Sequence, residues 1–363
     1  MSIALQKTIT LLLLIATGVL LRSRFRNQEA FGGIKEIILS VALPSTIFVA
    51  LMKVEVNSSL WLIPLLTLIF NLLIYLTVPL AFPLFGLDRN SPAGRTILLL
   101  VPSLAPGLSC FPFIAEFLGQ HSLALAALAD VGNKFFVLIF LYVAAMQMFL
   151  RNSSHEAVPL GGKVRYLLFS LVKEPVNLVI AIALILLSLG LHYGTLPLVI
   201  TDLMDKTSAL MTPLVLLYIG LAVQWKESRK KLIVSVLFLR AGISLLLSAV
   251  LIAVCRITDY NLVLLCLVIP LSSASFWPLA HITTFHQREN QLGLSKERRS
   301  FDPDLAVLLL GFSLPLSTLL ILGILSAGKT FVQPLAPVIC GTVLLALGVI
   351  PYARGWAHRL SKT

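Results

Sequence analysis

Charge is what this chain lacks. Only 12% of its 363 residues are Asp, Glu, Lys or Arg, against 58% hydrophobic; a soluble protein carries about twice that charged fraction. The mean hydropathy of +0.96 points the same way, to a polytopic membrane protein. Cysteine is scarce too. Cys110, Cys255, Cys266 and Cys340 all fall in apolar runs. They form no CxxC pair and have no histidine at a ligating spacing, so they read as small core residues. HExxH, GxSxG, a phosphate-binding loop and any His/Cys/Asp metal set are missing as well, so the sequence implies no enzyme, cofactor or metal. The N-terminus lacks the form of a cleavable signal, because its arginines follow the first apolar run and no small-residue cleavage site appears. The net charge of +12 would suggest nucleic acid in a soluble chain. Here the basic residues sit in short loops between apolar runs, which excludes that reading.

What is present in abundance is apolar sequence of bilayer-spanning length. Runs fall at about 3–21, 34–52, 60–86, 95–118, 122–150, 166–191, 197–224, 231–255, 261–285, 304–327 and 332–353, giving eleven expected spans. Basic residues fill alternate loops: Arg22, Arg24, Arg26 and Lys35; Arg89 and Arg95; Arg151, Lys163 and Arg165; Lys226, Arg229, Lys230 and Lys231; Arg288, Lys296, Arg298 and Arg299; then Arg354, Arg359 and Lys362 in the tail. The opposite side holds only Lys7, Lys53, Arg256 and Lys329. By the positive-inside rule this is a multi-pass protein of the cytoplasmic (inner) membrane, with the N-terminus outside and the C-terminal tail cytoplasmic. Setting the last span aside leaves ten, or five plus five. An odd-numbered unit repeated in one chain inserts its second copy upside down. The expected organisation is a first five-helix repeat at 1–150, a short cytoplasmic linker at 151–165, a second repeat at 166–328, and an extra span with its tail at 329–363.

Two apolar stretches are interrupted. Leu98–Gly119 carries Pro102, Pro106, Gly107 and Pro112, and Leu262–Phe285 carries Pro270 and Pro278 with serines between them. Each proline deletes a helix donor and clashes with the preceding turn. Such backbone survives at membrane depth only within protein or beside a wet cavity. Two interrupted spans at corresponding places in two halves point to a transporter site.

At these residues the sequence resembles the auxin efflux carrier (PIN-like) family, permeases within the bile acid/sodium symporter-like superfamily. The likeness rests on Ala42-Leu43-Pro44, the break Ser103–Pro112 ending in Phe111-Pro112, Asn133, Lys173-Glu174-Pro175, Pro213 followed by Ile219-Gly220, Pro270, and Ser313-Leu314-Pro315. It implies an all-α fold of two inverted five-helix repeats, with broken fourth and ninth helices crossing near the midplane. It implies carrier-type transport of small organic anions such as carboxylates. The chain departs from the pattern at Glu174, where asparagine is usual, in its longer basic segment Gln287–Asp302, and in its eleventh span. Its short central loop argues against auxin itself as substrate.

Around such a crossing, half-helix N-termini present unpaired N–H groups to an anion. The expected substrate contacts are Pro106, Gly107, Ser109, Phe111, Pro112, Asn133, Pro270, Ser272, Ser273 and Ser275. Cys110, in the first break, is expected beside the hydrated cavity. Asp130, Asn133 and Lys134 share one helical face. Asp130 and Lys134 either gate charge, with a proton or sodium ion as the coupled partner, or form a neutralised structural pair. His281 is a third coupling candidate. Arg240 either snorkels to the cytoplasmic surface or pairs with Asp130 or Glu174. The expected partners are a small organic anion and the lipid bilayer, with a homodimer left open. The leading function is a secondary carrier working by alternating access. The competing class is a membrane sensor that binds without turnover, and a channel is a third.

Overall fold

The computed structural model describes residues 3–24, 28–53, 62–153, 165, 169, 173–222, 230–291 and 299–360. Among these residues every regular element is a helix, as hydrocarbon demands of a backbone that must bond to itself. Six helices are long and apolar enough to cross a membrane: Gly32–Met52, Leu62–Phe85, Gly119–Asn152, Lys230–Val254, Pro303–Ser326 and Leu335–Tyr352. They mark a membrane-embedded protein. The expected runs at 95–118, 197–224 and 261–285 are each divided among shorter helices. The start of the 166–191 run lies outside the described residues, as do most of the 151–165 linker and Arg26, Lys163, Lys226, Arg229, Lys296, Arg298 and Lys362.

In chain order, α1 (Ile3–Leu21) is followed by α2 (Gln28–Ile37), which passes through a π turn into α3 (Leu43–Met52). Pro44 supplies no N–H at the start of α3. The wider π turn at Ile38–Ala42 accommodates it, and the Thr46 hydroxyl donates to the Ala42 carbonyl at 2.7 Å. Next come α4 (Leu62–Thr77), α5 (Phe82–Phe85), α6 (Pro92–Leu100), α7 (Pro106–Ser109) and α8 (Phe111–Phe117). Then α9 (Gly119–Phe135) runs through a second π turn at Phe136–Phe140 into α10 (Leu141–Ser153). The later helices are α11 (Pro175–Ser188), α12 (Leu198–Ser208), α13 (Met211–Ala222), α14 (Lys230–Val254), α15 (Tyr260–Val268), α16 (Trp277–Gln291), α17 (Pro303–Ser326), α18 (Gly328–Phe331) and α19 (Leu335–Leu360).

Burial of apolar side chains divides into two cores. One gathers Ile38, Ile47, Phe111, Leu123, Leu216 and Leu264. The other gathers Ile74, Phe136, Phe149, Ile233, Phe285 and Leu309. The chain passes from the second core at Leu98–Val101 to the first at Cys110–Ile114. It returns in the opposite sense, from Val263–Leu271 to Ala274 and Ile282. Residues 101–105 and 272–276, which leave the helix, lie at these two passages. Backbone that leaves the helix is thus placed between the two apolar cores.

Close helix contacts hold this frame. α1 packs on α13, where Gly18 and Gly220 meet; α3 packs on α11 and α12; α14 packs on α19 through Gly242 and Gly341. α4 lies so near α9 that a Cβ on Gly132 would enter the carbonyl of Pro64. That approach lets Asn71, two turns along α4, reach Asn133 at 3.1 Å. Gly132→Ala is therefore expected to overpack the contact by about 1–3 kcal/mol and to lower the thermal midpoint of the purified protein. An unchanged midpoint would show that α4 and α9 do not meet there.

Candidate functional site

The two non-helical stretches bind each other through backbone and short side chains. The Ala105 amide donates to the Ser273 carbonyl at 2.8 Å. The Ser273 amide donates to the Ser109 hydroxyl at 2.8 Å, and the Ser275 amide to the Ser103 hydroxyl at 3.0 Å. Ser103 and Ser272 each turn the hydroxyl back on the carbonyl three residues earlier, Leu100 and Ile269, both at 2.6 Å. Neighbouring helices supply the rest. Ser313 of α17 accepts from the Ala274 amide at 3.1 Å, and Asn133 of α9 donates to the Leu104 carbonyl at 2.9 Å.

One cation takes two further carbonyls, one from each stretch. Arg240 of α14, 3% exposed, donates from Nη2 to the Ser103 carbonyl at 3.0 Å and the Ser272 carbonyl at 2.6 Å. It neither snorkels to the surface nor pairs with Asp130 or Glu174. The reason is electrostatic: α6 and the 3₁₀ turn Ile269–Leu271 both end here, and a cation is favoured at helix C-termini. Charged hydrogen bonds of this kind contribute about 1.5–3 kcal/mol each.

On the other side of the two stretches lies a cavity of about 510 Å³. α2 and α3 contribute Lys35, Glu36, Leu39 and Leu43, and α9 contributes Asp130, Asn133 and Lys134. Glu174, Tyr218, Leu310 and Leu314 close the sides. Residues Leu104–Leu108 and Ser273–Trp277 form the end where α7 and α16 begin. Gly107 keeps that end narrow, since a Cβ there would press on Leu43. Lys134 Nζ sits 2.9 Å from Glu174 Oε1 and 3.5 Å from Asp130 Oδ2, and donates to Asn177 Oδ1 at 3.4 Å. Asn133 donates to the other Asp130 oxygen at 2.8 Å, and Asn177 to the other Glu174 oxygen at 3.2 Å. The expected Asp130–Lys134 pair is thus a lysine shared by two carboxylates.

Of the residues expected from sequence, Pro106, Gly107, Asn133, Ser273, Ser275, Asp130 and Lys134 line this one cavity. Ser109 stands behind it, its hydroxyl donating to the Ala105 carbonyl while accepting from Ser273. The others do not line it. Phe111 lies in the first apolar core and Pro112 is buried beside it in sequence, α8 starting after the non-helical backbone at Cys110. Ser272 is buried with its hydroxyl spent on Ile269. Pro270 lines a second, mainly apolar cavity of about 550 Å³ bounded by α4, α9, α14 and α15. His281 is buried against the Val137 carbonyl at 2.9 Å and edge-on to Tyr142. Cys110 is 0% exposed, its thiol 3.6 Å from the Val268 carbonyl, so it does not face the cavity.

Sequence reasoning missed Asn71 and Asn177, and undervalued Glu174. Asn71 carried a signal, as a lone amide in the apolar run Leu62–Thr77. No protein-family model matches the chain, and no curated protein matches it.

Arg240→Leu removes both bonds and strands two buried carbonyls, each worth about 1–3 kcal/mol when unmet. The expected result is loss of monodisperse folded protein in gentle detergent, with Arg240→Lys retaining part of the thermal stability. An Arg240→Leu protein as stable as the parent would remove Arg240 from this role.

Proposed function

We propose that this chain is a secondary carrier that moves a small organic anion, a carboxylate, across the cytoplasmic membrane by alternating access. The observation that carries the reading is the cavity end built from Leu104–Leu108 and Ser273–Trp277. There the amino end of α16 and the backbone of Pro106–Leu108 face the cavity, with Lys134 on its wall. Helix amino ends favour negative charge, and irregular backbone at depth is retained where it lines a cavity.

An inverted-repeat organisation, with the fourth and ninth spans broken and crossing, is supported by paired contacts. If residues 1–150 match 166–328, α1 against α13 corresponds to α11 against α3; both contacts are made. Likewise α6 against α17 corresponds to α15 against α9, and α4 against α9 corresponds to α14 against α17. Ser103 and Ser272 play the same part in the two halves. The resemblance to the auxin efflux carrier family leads to the same arrangement. In it, α1–α3 and α11–α13 form one body, the broken helices and their neighbours the other, and the cavity lies between them. The basic loops put its mouth on the cytoplasmic side.

Counterflow in proteoliposomes tests the function, using labelled acetate, succinate and benzoate. Saturable uptake accelerated by the same unlabelled acid inside is expected for at least one. Binding without turnover would assign the chain to the sensor class, and uptake that does not saturate would assign it to channels. Reporter fusions after Lys329 and at the C-terminus are expected on opposite sides of the membrane. Same-side signals would remove α19 as a span.

A further inference from the structure

The cavity's charges do not balance for an anion. Asp130, Glu174 and Glu36 face it against Lys134 and Lys35, so an entering carboxylate meets an excess of negative side chains. Two of these five are engaged apart from the rest: Glu36 accepts from Ser40 at 2.6 Å, and Lys35 lies 5.0 Å over the Phe276 ring. The remaining three meet at Lys134.

The two carboxylates on Lys134 are not equivalent. Asp130 is one helical turn away on α9, 6% exposed, and fixed by Asn133, which itself holds the Leu104 carbonyl. Glu174 stands at the start of α11, with 28% of its side chain exposed to the cavity. α11 packs mainly on α3 and touches α9 only slightly. Lys134–Glu174 is therefore a bridge between two helix groups, and Glu174 is the partner that can leave.

We propose that Lys134 is the carboxylate-binding cation of this site and that Glu174 is its displaceable counter-ion, so that an anionic substrate binds together with one proton. The substrate carboxylate replaces Glu174 as acceptor for the Lys134 ammonium, which keeps all its protons. Glu174, left without its cation beside Asp130, takes a proton from water in the cavity and becomes a neutral acid. Asn177 stays beside it, as it donates to Glu174 and accepts from Lys134. Among the described residues, the charged groups that line the cavity with Glu174 are Lys134 and Asp130 on α9 and Lys35 and Glu36 on α2; α3 and its π turn bring none, and the adjacent Lys173 lies over the Phe169 ring. Falling pH therefore protonates Glu174, frees Lys134 and strengthens anion binding.

This inference rests on the carrier reading, and the test separates the two. Purified full-length protein is titrated with acetate, succinate and benzoate between about pH 7 and 8.5, where all three acids are fully ionised. Proton uptake is read in weakly buffered solution with a pH dye. The apparent affinity of whichever acid binds is expected to rise about tenfold per unit fall in pH while Glu174 is ionised in the free protein. About one proton should be absorbed per carboxylate bound. Glu174→Gln, isosteric and leaving Lys134 its pairing with Asp130, is expected to bind with a flat pH profile and absorb no proton. Wild-type affinity that ignores pH with no proton uptake, or a Glu174→Gln protein that keeps the wild-type slope, overturns the proposal and leaves the carrier reading standing. Failure of all three acids to bind the wild type at any pH overturns both.

Discussion

A helix interrupted deep in an apolar protein leaves amide and carbonyl groups with no water to bond, and meeting that demand organises this molecule. Each such group costs about 1–3 kcal/mol if left unpaired. The two interrupted stretches reduce the cost by pairing with one another, Ala105 to Ser273 and Ser275 to Ser103. What they cannot supply comes from Asn133, Ser313 and Arg240. Because one guanidinium reaches a carbonyl in each stretch, the stretches must meet, and α14 must pass beside the meeting point. The helix α19 then has a physical part to play. It packs along α14 through Gly242, Gly341 and Gly348, and so backs the helix that carries Arg240.

The same geometry sorts the helix dipoles. α6 and the turn Ile269–Leu271 present their carbonyl ends to Arg240, where a fixed cation answers them. The amino end of α16 and the backbone of Pro106–Leu108 line the cavity, where the anions among the described residues are engaged elsewhere: Asp130 with Asn133 and Lys134, Glu174 with Lys134 and Asn177, and Glu36 with Ser40. One side of the meeting point is closed by the protein's own charge. The other is left to whatever enters.

Much of this arrangement was legible in the sequence. Runs of apolar residues longer than a bilayer's core announced the helices, since hydrocarbon permits little else. Pro102, Pro106 and Pro270 marked the interruptions, because a proline removes a donor wherever it stands. The face shared by Asp130, Asn133 and Lys134 followed from helical spacing alone. Facing was lost where that spacing was lost. Cys110 sits between two short helices with its own backbone outside the helical region, so no periodic count could say that its thiol turns toward Val268. Arg240 was visible as a costly charge, but its partners lie 137 and 32 residues away along the chain, and they are backbone atoms, which carry no residue-specific signal. Glu174 was flagged as an unusual residue and as a candidate partner of Arg240, but not of Lys134, since its link to Lys134 joins helices that barely touch.

The buried cations Arg240 and Lys134 differ in what their partners can do. Arg240 is held by neutral carbonyls, and an arginine keeps its proton throughout the physiological range, so nothing in its shell can change charge. That suits a group whose task is to keep two helix ends in place. Lys134 is held by two carboxylates, either of which changes charge when it gains a proton, and one of them stands on a different helix group. A charge surplus fixed by packing would cost stability with no return, since buried ionic groups are poorly repaid by their attraction alone. Placed at a cavity wall, across the boundary between α9 and α11, the same surplus suits the exchange of partners proposed for Lys134. The fold thus keeps its immovable cation where the backbone needs closing and its exchangeable one where the cavity opens.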